Sequence, residues 1–270
     1  MNEKPILITN GTGKTGRRVA ARLLGAGRSV RIGSRTGWPP FDWEDRATWT
    51  PALEGAWAAY VSYYPDIAVP GAPEAVEAFA HDALAAGTRR LVLLSGRGEE
   101  EAQRAENAVR ASGAEWTIVR CSWFAQNFSE GIFREGILSG ELALPNSVDG
   151  VPEPFVDVED IADVAAAALT ERGHEGRLYE LTGAELLTFA TALDVIAVAA
   201  RRPVRLAPVE LDQFANGVPA EFADFLSYLF TEVLDGRNAR LADGVREALG
   251  RPARSFRAYA QAAAASGAWA

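Results

Sequence analysis

Residues 6–24 read ILITNGTGKTGRRVAARLL. The apolar-rich run 6–9 enters a glycine-punctuated loop, and the loop opens a segment with Val19, Ala20, Leu23 and Leu24 at helical spacing. Gly11, Gly13 and Gly16 fit G-x-G-x-x-G, a spacing that also arises in ordinary turns. It gains meaning here because it follows a strand and opens a helix in the first βαβ unit. Glycine lets the backbone approach a pyrophosphate, and the helix N-terminus adds N–H groups and a dipole. Asn10, Gly11, Thr12, Gly13, Lys14, Thr15 and Gly16 are therefore the expected phosphate-binding residues. The loop is not a Walker A motif: Ile8 stands where the first glycine would be needed, so Lys14 comes too early.

The next strand ends Ile32-Gly33-Ser34-Arg35. An NAD site places an acid there to hold the ribose 2′-hydroxyl, whereas arginine accommodates the 2′-phosphate of NADP. Ser34 and Arg35, with Lys14, point to NADP(H). Asp42 lies seven residues past Arg35 and suits a place beside the adenine ring.

Strand patterns recur at 6–9, 29–34, 58–62, 90–95 and 116–121, with helical patterns near 14–26, 73–87, 99–112 and 123–136. That alternation predicts an α/β fold: a Rossmann-type doubly wound parallel sheet with a smaller, mostly helical C-terminal substrate lobe. The continuous apolar runs of the fourth and fifth strands suit positions buried on both faces. Beyond residue 137, glycines and prolines predict a looped region. Residues 154–169 then read as a helix with Asp157, Glu159 and Asp160 as acids at its positive end. Strands near 177–181 and 203–207 follow, with helices near 188–200, 210–216, 219–234 and 256–264. The aromatics of 210–234 are expected to form a lid. The division is a nucleotide-binding core over 1–136 and a segment over 137–270 that completes the core at about 154–182 and forms the substrate lobe, in one compact unit.

Bulk properties exclude several classes. A net charge of −9 opposes a nucleic-acid surface. No apolar run approaches the roughly 20 residues of a membrane span, and the first strand leaves no room for a signal peptide. His81 and His174 are the only histidines, so neither a histidine-built metal site nor a serine triad is expected. The single cysteine, Cys121, fits a reducing cytoplasm. The expected partner is a small-molecule substrate; a homodimer is left open.

Six segments then carry a family resemblance: TNGTGKTGRRVA (9–20), FDWEDRATW with Ala52-Leu53, RLVLLSG (90–96), AENAVRASGAEWTIVR (105–120) with WFAQNF (123–128), PFVDVEDIADVAAAAL (154–169) and GRPARSFRAYA (250–260). Together they resemble the NmrA-like atypical short-chain dehydrogenases/reductases over nearly the whole chain. That family has Gly-Ala-Thr-Gly-x-x-Gly in its first loop, where this chain has Asn10 and Gly11 in the first two places. Asparagine tolerates left-handed backbone, so the turn is expected to survive. Within the group, 41–53 and 123–128 are similar to the festuclavine dehydrogenase branch, which the resemblance implies to be NADPH-dependent reduction of a cyclic iminium. NADPH quinone reductases and NADP-sensing regulators without turnover are alternative branches.

Typical members of the wider superfamily protonate a developing alkoxide through a Tyr-x-x-x-Lys pair. Residues 95–115 contain neither tyrosine nor lysine; Gln103 and Asn107 take about that spacing, and neither amide donates a proton at neutral pH. An iminium needs no acid, and a quinone takes its proton from water. The chemistry expected is therefore hydride transfer from NADPH to a cyclic or aromatic molecule that needs no Tyr/Lys relay, in secondary metabolism. Tyr64 and Tyr63, at the carboxyl end of the third strand, are the first candidates for a protein donor, and Ser95 matches the superfamily's serine. Ser62 and Cys121 end strands on the cofactor side, Cys121 near the nicotinamide carboxamide and without a thiolate-stabilising neighbour. Trp123, Phe124 and Phe128 are expected to wall the substrate pocket. Arg97 and Glu106 could contact ligand, but such residues are more often solvated surface charges.

Overall fold

Strand formation follows the apolar runs in chain order: β1 (Ile6–Ile8), β2 (Val30–Ile32), β3 (Ala58–Val61), β4 (Arg90–Gly96), β5 (Glu115–Cys121), β6 (Glu141–Pro145), β7 (Arg177–Leu181) and β8 (Arg205–Val209). These come from a computed structural model that describes residues 4–218 and 220–270. By contacts the chain divides into two units. The first runs through Cys121 and takes in Val158–Leu181 and Gly244–Arg251; the second comprises Ser122–Asp157, Thr182–Asp243 and Pro252–Ala270.

In the first unit the sheet is parallel throughout, in the order β2-β1-β3-β4-β5-β7. From β1 the chain moves outward to β2, then crosses to the other side of β1 to lay down β3. The carboxyl ends of β1 and β3 thus flank the point where strand order reverses, which is where open α/β sheets bind ligands. Alternation along each strand gives two buried faces. Leu7, Ala59, Val61, Leu91, Leu93 and Ile118 share one core with α2 (Trp49–Leu53), α3 (Ala72–Ala85) and α4 (Glu100–Ala111). Against the sheet pack α1 (Gly16–Gly25) and α7 (Val158–Thr170), which also pack on each other. Helix α1 buries Gly16, Val19, Ala20 and Leu23, one stripe at helical spacing.

An ion-pair lattice fastens α1 to α7. Glu159 Oε1 accepts from Arg18 Nε at 2.6 Å and Glu159 Oε2 from Arg22 Nη2 at 2.6 Å; Arg22 also pairs with Asp163. Arg251 reaches Asp160 at 2.8 Å and Asp163 at 2.5 Å. Of the acids read in the sequence as helix-dipole partners, Glu159 thus also joins α7 to α1, and Asp160 pairs with Arg251.

The second unit holds a two-stranded parallel sheet, β6 beside β8. Phe128, Phe133, Phe155, Phe189, Phe230 and Phe256 are buried in its core. Residues 123–136, read as one helix of the nucleotide-binding core, are instead α5 (Asn127–Glu130) and α6 (Arg134–Ser139), separated by extended backbone at Gly131. Phe128 and Phe133 from this stretch, with Ile137 just beyond it, join the second core, so the division falls at Cys121 and not at residue 136. The looped region beyond 137 contains β6, and Gly140, at φ +86°, caps α6 one residue before that strand. The expected helix at 219–234 is an α-helix over Ala220–Tyr228 continued by a π-helical turn over Leu229–Val233. Its Phe225 and Tyr228, with Phe214 and Phe222, are half-buried against the aromatic core rather than arrayed as a free lid. No helix among the described residues is long and apolar enough to cross a membrane.

The α1–α7 lattice makes a pH-dependent contribution with a definite sign. Burial alone would raise the Glu159 carboxyl, but hydrogen bonds from Arg22 and Arg18 prevail and hold it below its ordinary 4.5. A depressed folded-state carboxyl stabilises above its unfolded value and loses that contribution as pH falls through the folded one. Thermal melts should therefore show the wild type losing stability below pH 4.5 more steeply than Glu159→Gln; parallel profiles would refute the assignment.

Candidate functional site

Where β1 ends, buried Thr9 ties the switch point together. Its hydroxyl lies 3.2 Å from the carbonyl of Tyr60 and 3.1 Å from that of Ser62, and accepts from the Ser62 N–H at 2.8 Å. The chain then turns at Asn10, whose φ of +48° is left-handed, as its amide side chain permits. Gly13 N donates back to the Asn10 carbonyl at 2.9 Å. A Cβ on Gly16 would stand 2.3 Å from that carbonyl oxygen, and one on Gly11 would stand 2.8 Å from the carbonyl of Ile8. On Gly13 it would meet only the Asn10 side chain, at 2.9 Å. Helix α1 begins at Gly16 with no acid in its first turn, so no carboxylate of its own neutralises the positive end. This is a cradle that a Cβ would fill, facing a helix N-terminus, and it suits a phosphate-bearing ligand.

Beside the loop opens a pocket of about 190 Å³. Asn10 and Thr12 come to it from the loop, Gly33, Ser34 and Arg35 from the end of β2, and Phe41, Asp42, Trp43 and Glu44 from the segment beyond. Tyr64 completes the lining. Residues 33–57 add no strand to the sheet. Aromatic packing shapes them instead: Phe41 meets Trp43 edge-on at 5.2 Å and Phe79 at 5.8 Å. Trp43 donates its indole N–H to the Ser62 carbonyl at 3.0 Å, and Trp49 donates to the Asp42 carbonyl at 2.7 Å. The Asp42 carboxylate accepts from Glu44 N at 3.1 Å. Of the expected cofactor residues, the pocket thus gathers Asn10, Thr12, Ser34, Arg35 and Asp42; Ser62 is buried and braces the floor through its backbone.

The candidate proton donors Tyr63 and Tyr64 follow the carboxyl end of β3, and Ser95 lies near the end of β4. Tyr63 is half-buried with its ring 4.9 Å from Trp43; burial, and then the charge of Glu44, raises its phenol and weakens it as an acid. Tyr64 is half-exposed and carries the Arg35 guanidinium over its ring at 5.9 Å, which sets it among the residues assigned to the 2′-phosphate. Ser95 is buried, and its hydroxyl donates to Glu106 Oε1 at 2.7 Å.

Glu106 is the residue whose burial the sequence reading did not foresee. It is fully buried, and also accepts from Arg120 Nε at 2.8 Å and Arg120 Nη2 at 2.5 Å. Arg97, buried as well, pairs with Glu180 at 2.5 Å. The reading of Arg97 and Glu106 as solvated charges is therefore overturned: both are interior and paired. Gln103 and Asn107 face solvent on α4 while Glu106 faces inward. The helical stripe Ala102, Ala105, Glu106, Val109 was the available signal.

Cys121 is buried, and burial, then the charge of Glu99, pushes its thiol well up, so it stays protonated. In the second unit, Trp123 and Phe124 are half-buried, Trp123 stacked parallel on Phe133 at 6.1 Å. Phe128 has no exposed surface, enclosed by Phe133, Phe155, Phe189 and Phe256; it is core and not a pocket wall.

No family model matches the chain. Whole-length relatives are plain. The uncharacterized oxidoreductase YesF of Bacillus subtilis is 32% identical over 280 aligned residues, covering 98% of this chain and 97% of the relative. A (4-alkanoyl-5-oxo-2,5-dihydrofuran-3-yl)methyl phosphate reductase of Streptomyces griseus is 33% identical, with 93% and 95% covered. Festuclavine synthase II of Penicillium roqueforti is 31% identical, with 95% and 97% covered. Among solved structures, triphenylmethane reductase of Citrobacter superimposes with a TM-score of 0.75 at 19% identity, over 96% of this chain and 99% of that one. The negative transcriptional regulator NmrA gives 0.73 at 17%, over 97% and 95%. At such identities the structures establish the fold.

The loop contacts rank the glycines. Gly16→Ala drives a Cβ into backbone and should cost about 1–3 kcal/mol in urea unfolding, with weakened NADPH binding by calorimetry. Gly13→Ala needs only the Asn10 amide to swing and should stay within about 0.5 kcal/mol. The reverse order would show that the loop is not packed this way.

Proposed function

We propose a reaction for a chain that belongs to the NmrA-like group of atypical short-chain dehydrogenases/reductases: NADPH-dependent reduction of a cyclic small molecule whose acceptor carbon needs no acid from the protein. The observation that carries it is the fate of the superfamily's serine. The Ser95 hydroxyl donates its hydrogen bond to a buried carboxylate 2.7 Å away, and residues 95–115 contain neither the tyrosine nor the lysine of the usual proton relay. With its hydroxyl proton so engaged, Ser95 can accept a hydrogen bond while Glu106 and Arg120 hold its orientation.

The residues present fit the cofactor. Asn10 to Gly16 and the N-terminus of α1 would hold its diphosphate, Ser34 and Arg35 its 2′-phosphate, and Asp42 the edge of its adenine. When bound, NADPH supplies a hydride to an electron-poor carbon. Among acceptors, a cyclic iminium suits this chain, since hydride addition leaves a neutral amine with no oxyanion to protonate. The festuclavine synthase relative supports that choice over a quinone, which the missing acid also tolerates.

The test follows NADPH absorbance with a panel of cyclic iminium salts and simple quinones. Turnover of an iminium should be flat from about pH 6 to about pH 8, because no protein acid titrates in the step. A tenfold fall across that window would reveal a protein donor and refute the mechanism. Turnover of neither class, with tight binding of NADP and NADPH, would favour a cofactor sensor. Arg35→Asp should weaken NADPH at least tenfold, about 1.4 kcal/mol, and spare NADH; equal loss would refute the 2′-phosphate assignment.

A further inference from the structure

We propose that Tyr64 sets the cofactor preference, as a positioning residue that holds Arg35 ready for the 2′-phosphate; this rests on the NADP(H) reading above. Arg35 is the one cation among the pocket's lining residues. It is exposed, and among the described residues no ion pair fixes its guanidinium. What stands against it is an aromatic face: the guanidinium carbon lies 5.9 Å from the centre of the Tyr64 ring.

That arrangement leaves the right part of the arginine free. A guanidinium is planar, with its N–H donors in the plane. A cation held over the ring's π surface keeps N–H donors that point away from the ring, and these can reach phosphate oxygens. Of the pocket's two carboxylates, Asp42 accepts from Glu44 N, and among the described residues neither is ion-paired with Arg35. Tyr64 itself remains 51% exposed, so core packing does not account for its place. Its neighbour Ser62 is fastened to Thr9 and Trp43 at the end of β3, which anchors the platform from the opposite side of the switch point. The cofactor forms differ only in the phosphate that Arg35 meets, so a residue acting through Arg35 moves their ratio.

The experiment measures dissociation constants of NADP⁺ and NAD⁺ by calorimetry for the full chain and for Tyr64→Phe, Tyr64→Leu, Arg35→Ala and the Tyr64→Leu/Arg35→Ala double variant. Tyr64→Leu should weaken NADP⁺ about two- to fivefold, the scale of an exposed cation–π contact, and leave NAD⁺ unchanged. Tyr64→Phe keeps the ring and should keep the wild-type ratio. In the Arg35→Ala background, Tyr64→Leu should not move the ratio further. Equal weakening of both forms would mean that the ring serves the shared adenine, and would overturn the proposal. So would a Tyr64→Phe effect as large as that of Tyr64→Leu, or an effect persisting without Arg35. A wild-type preference for NADP⁺ untouched by Tyr64→Leu overturns this proposal alone; a wild type that binds both forms alike overturns the NADP(H) reading beneath it as well.

Discussion

The first unit depends on how closely α1 can start behind β1. The Asn10 carbonyl sits where a Cβ on residue 16 would stand, 2.3 Å away, so only glycine lets the helix begin there. Left-handed backbone at Asn10 makes the reversal, and the Gly13 N–H closes it. A looser loop would carry the helix N-terminus away from the ends of β1 and β3. Since the dipole acts within about one turn, the position of that terminus matters more than its existence. Thr9 supplies the complementary restraint, fixing the spacing of β1 and β3 with a single hydroxyl.

A second constraint lies beneath α4. A carboxylate with no solvent exposure is costly unless its oxygens are paired, and breaking such a set costs several kcal/mol. Glu106 meets that demand through Ser95 and both nitrogens of one face of Arg120, while Arg97 and Glu180 form a neighbouring pair. The consequence is chemical. A serine in this network has an assigned hydrogen-bond direction: its hydroxyl proton is aimed at Glu106, and its lone pairs stay available to accept.

The sheet was legible because its strands are short apolar runs between glycine and helical stretches; β3, β4 and β5 lie within two residues of where the runs set them. The glycine loop was legible for a different reason: its spacing and its place between strand and helix had to coincide. What escaped depends on contacts distant in sequence. β6 sits among Gly136, Gly140 and Pro145, and its alternation is readable only once β8 is beside it. Gly131 breaks a helix that periodicity carries across, and the helix Gly244–Leu249 belongs to the first unit, with Gly244 packed on the Glu180 carbonyl. Phe128 and Glu106 were misjudged for one reason in opposite directions: residue type predicted an aromatic wall and a solvated charge, whereas tertiary packing buried both.

The segment between β2 and α2 shows how selectivity can be built without a strand. With β2 at the sheet edge, nothing in the backbone ladder holds residues 34–49 in place. Phe41, Trp43 and Trp49 are buried against Phe79, and indole N–H groups grip two backbone carbonyls. Such side-chain anchoring brings Ser34 and Arg35 into the lining of the pocket beside the loop. The position of these two residues is consequently a property of the segment's aromatic packing, and the strand order alone cannot specify it.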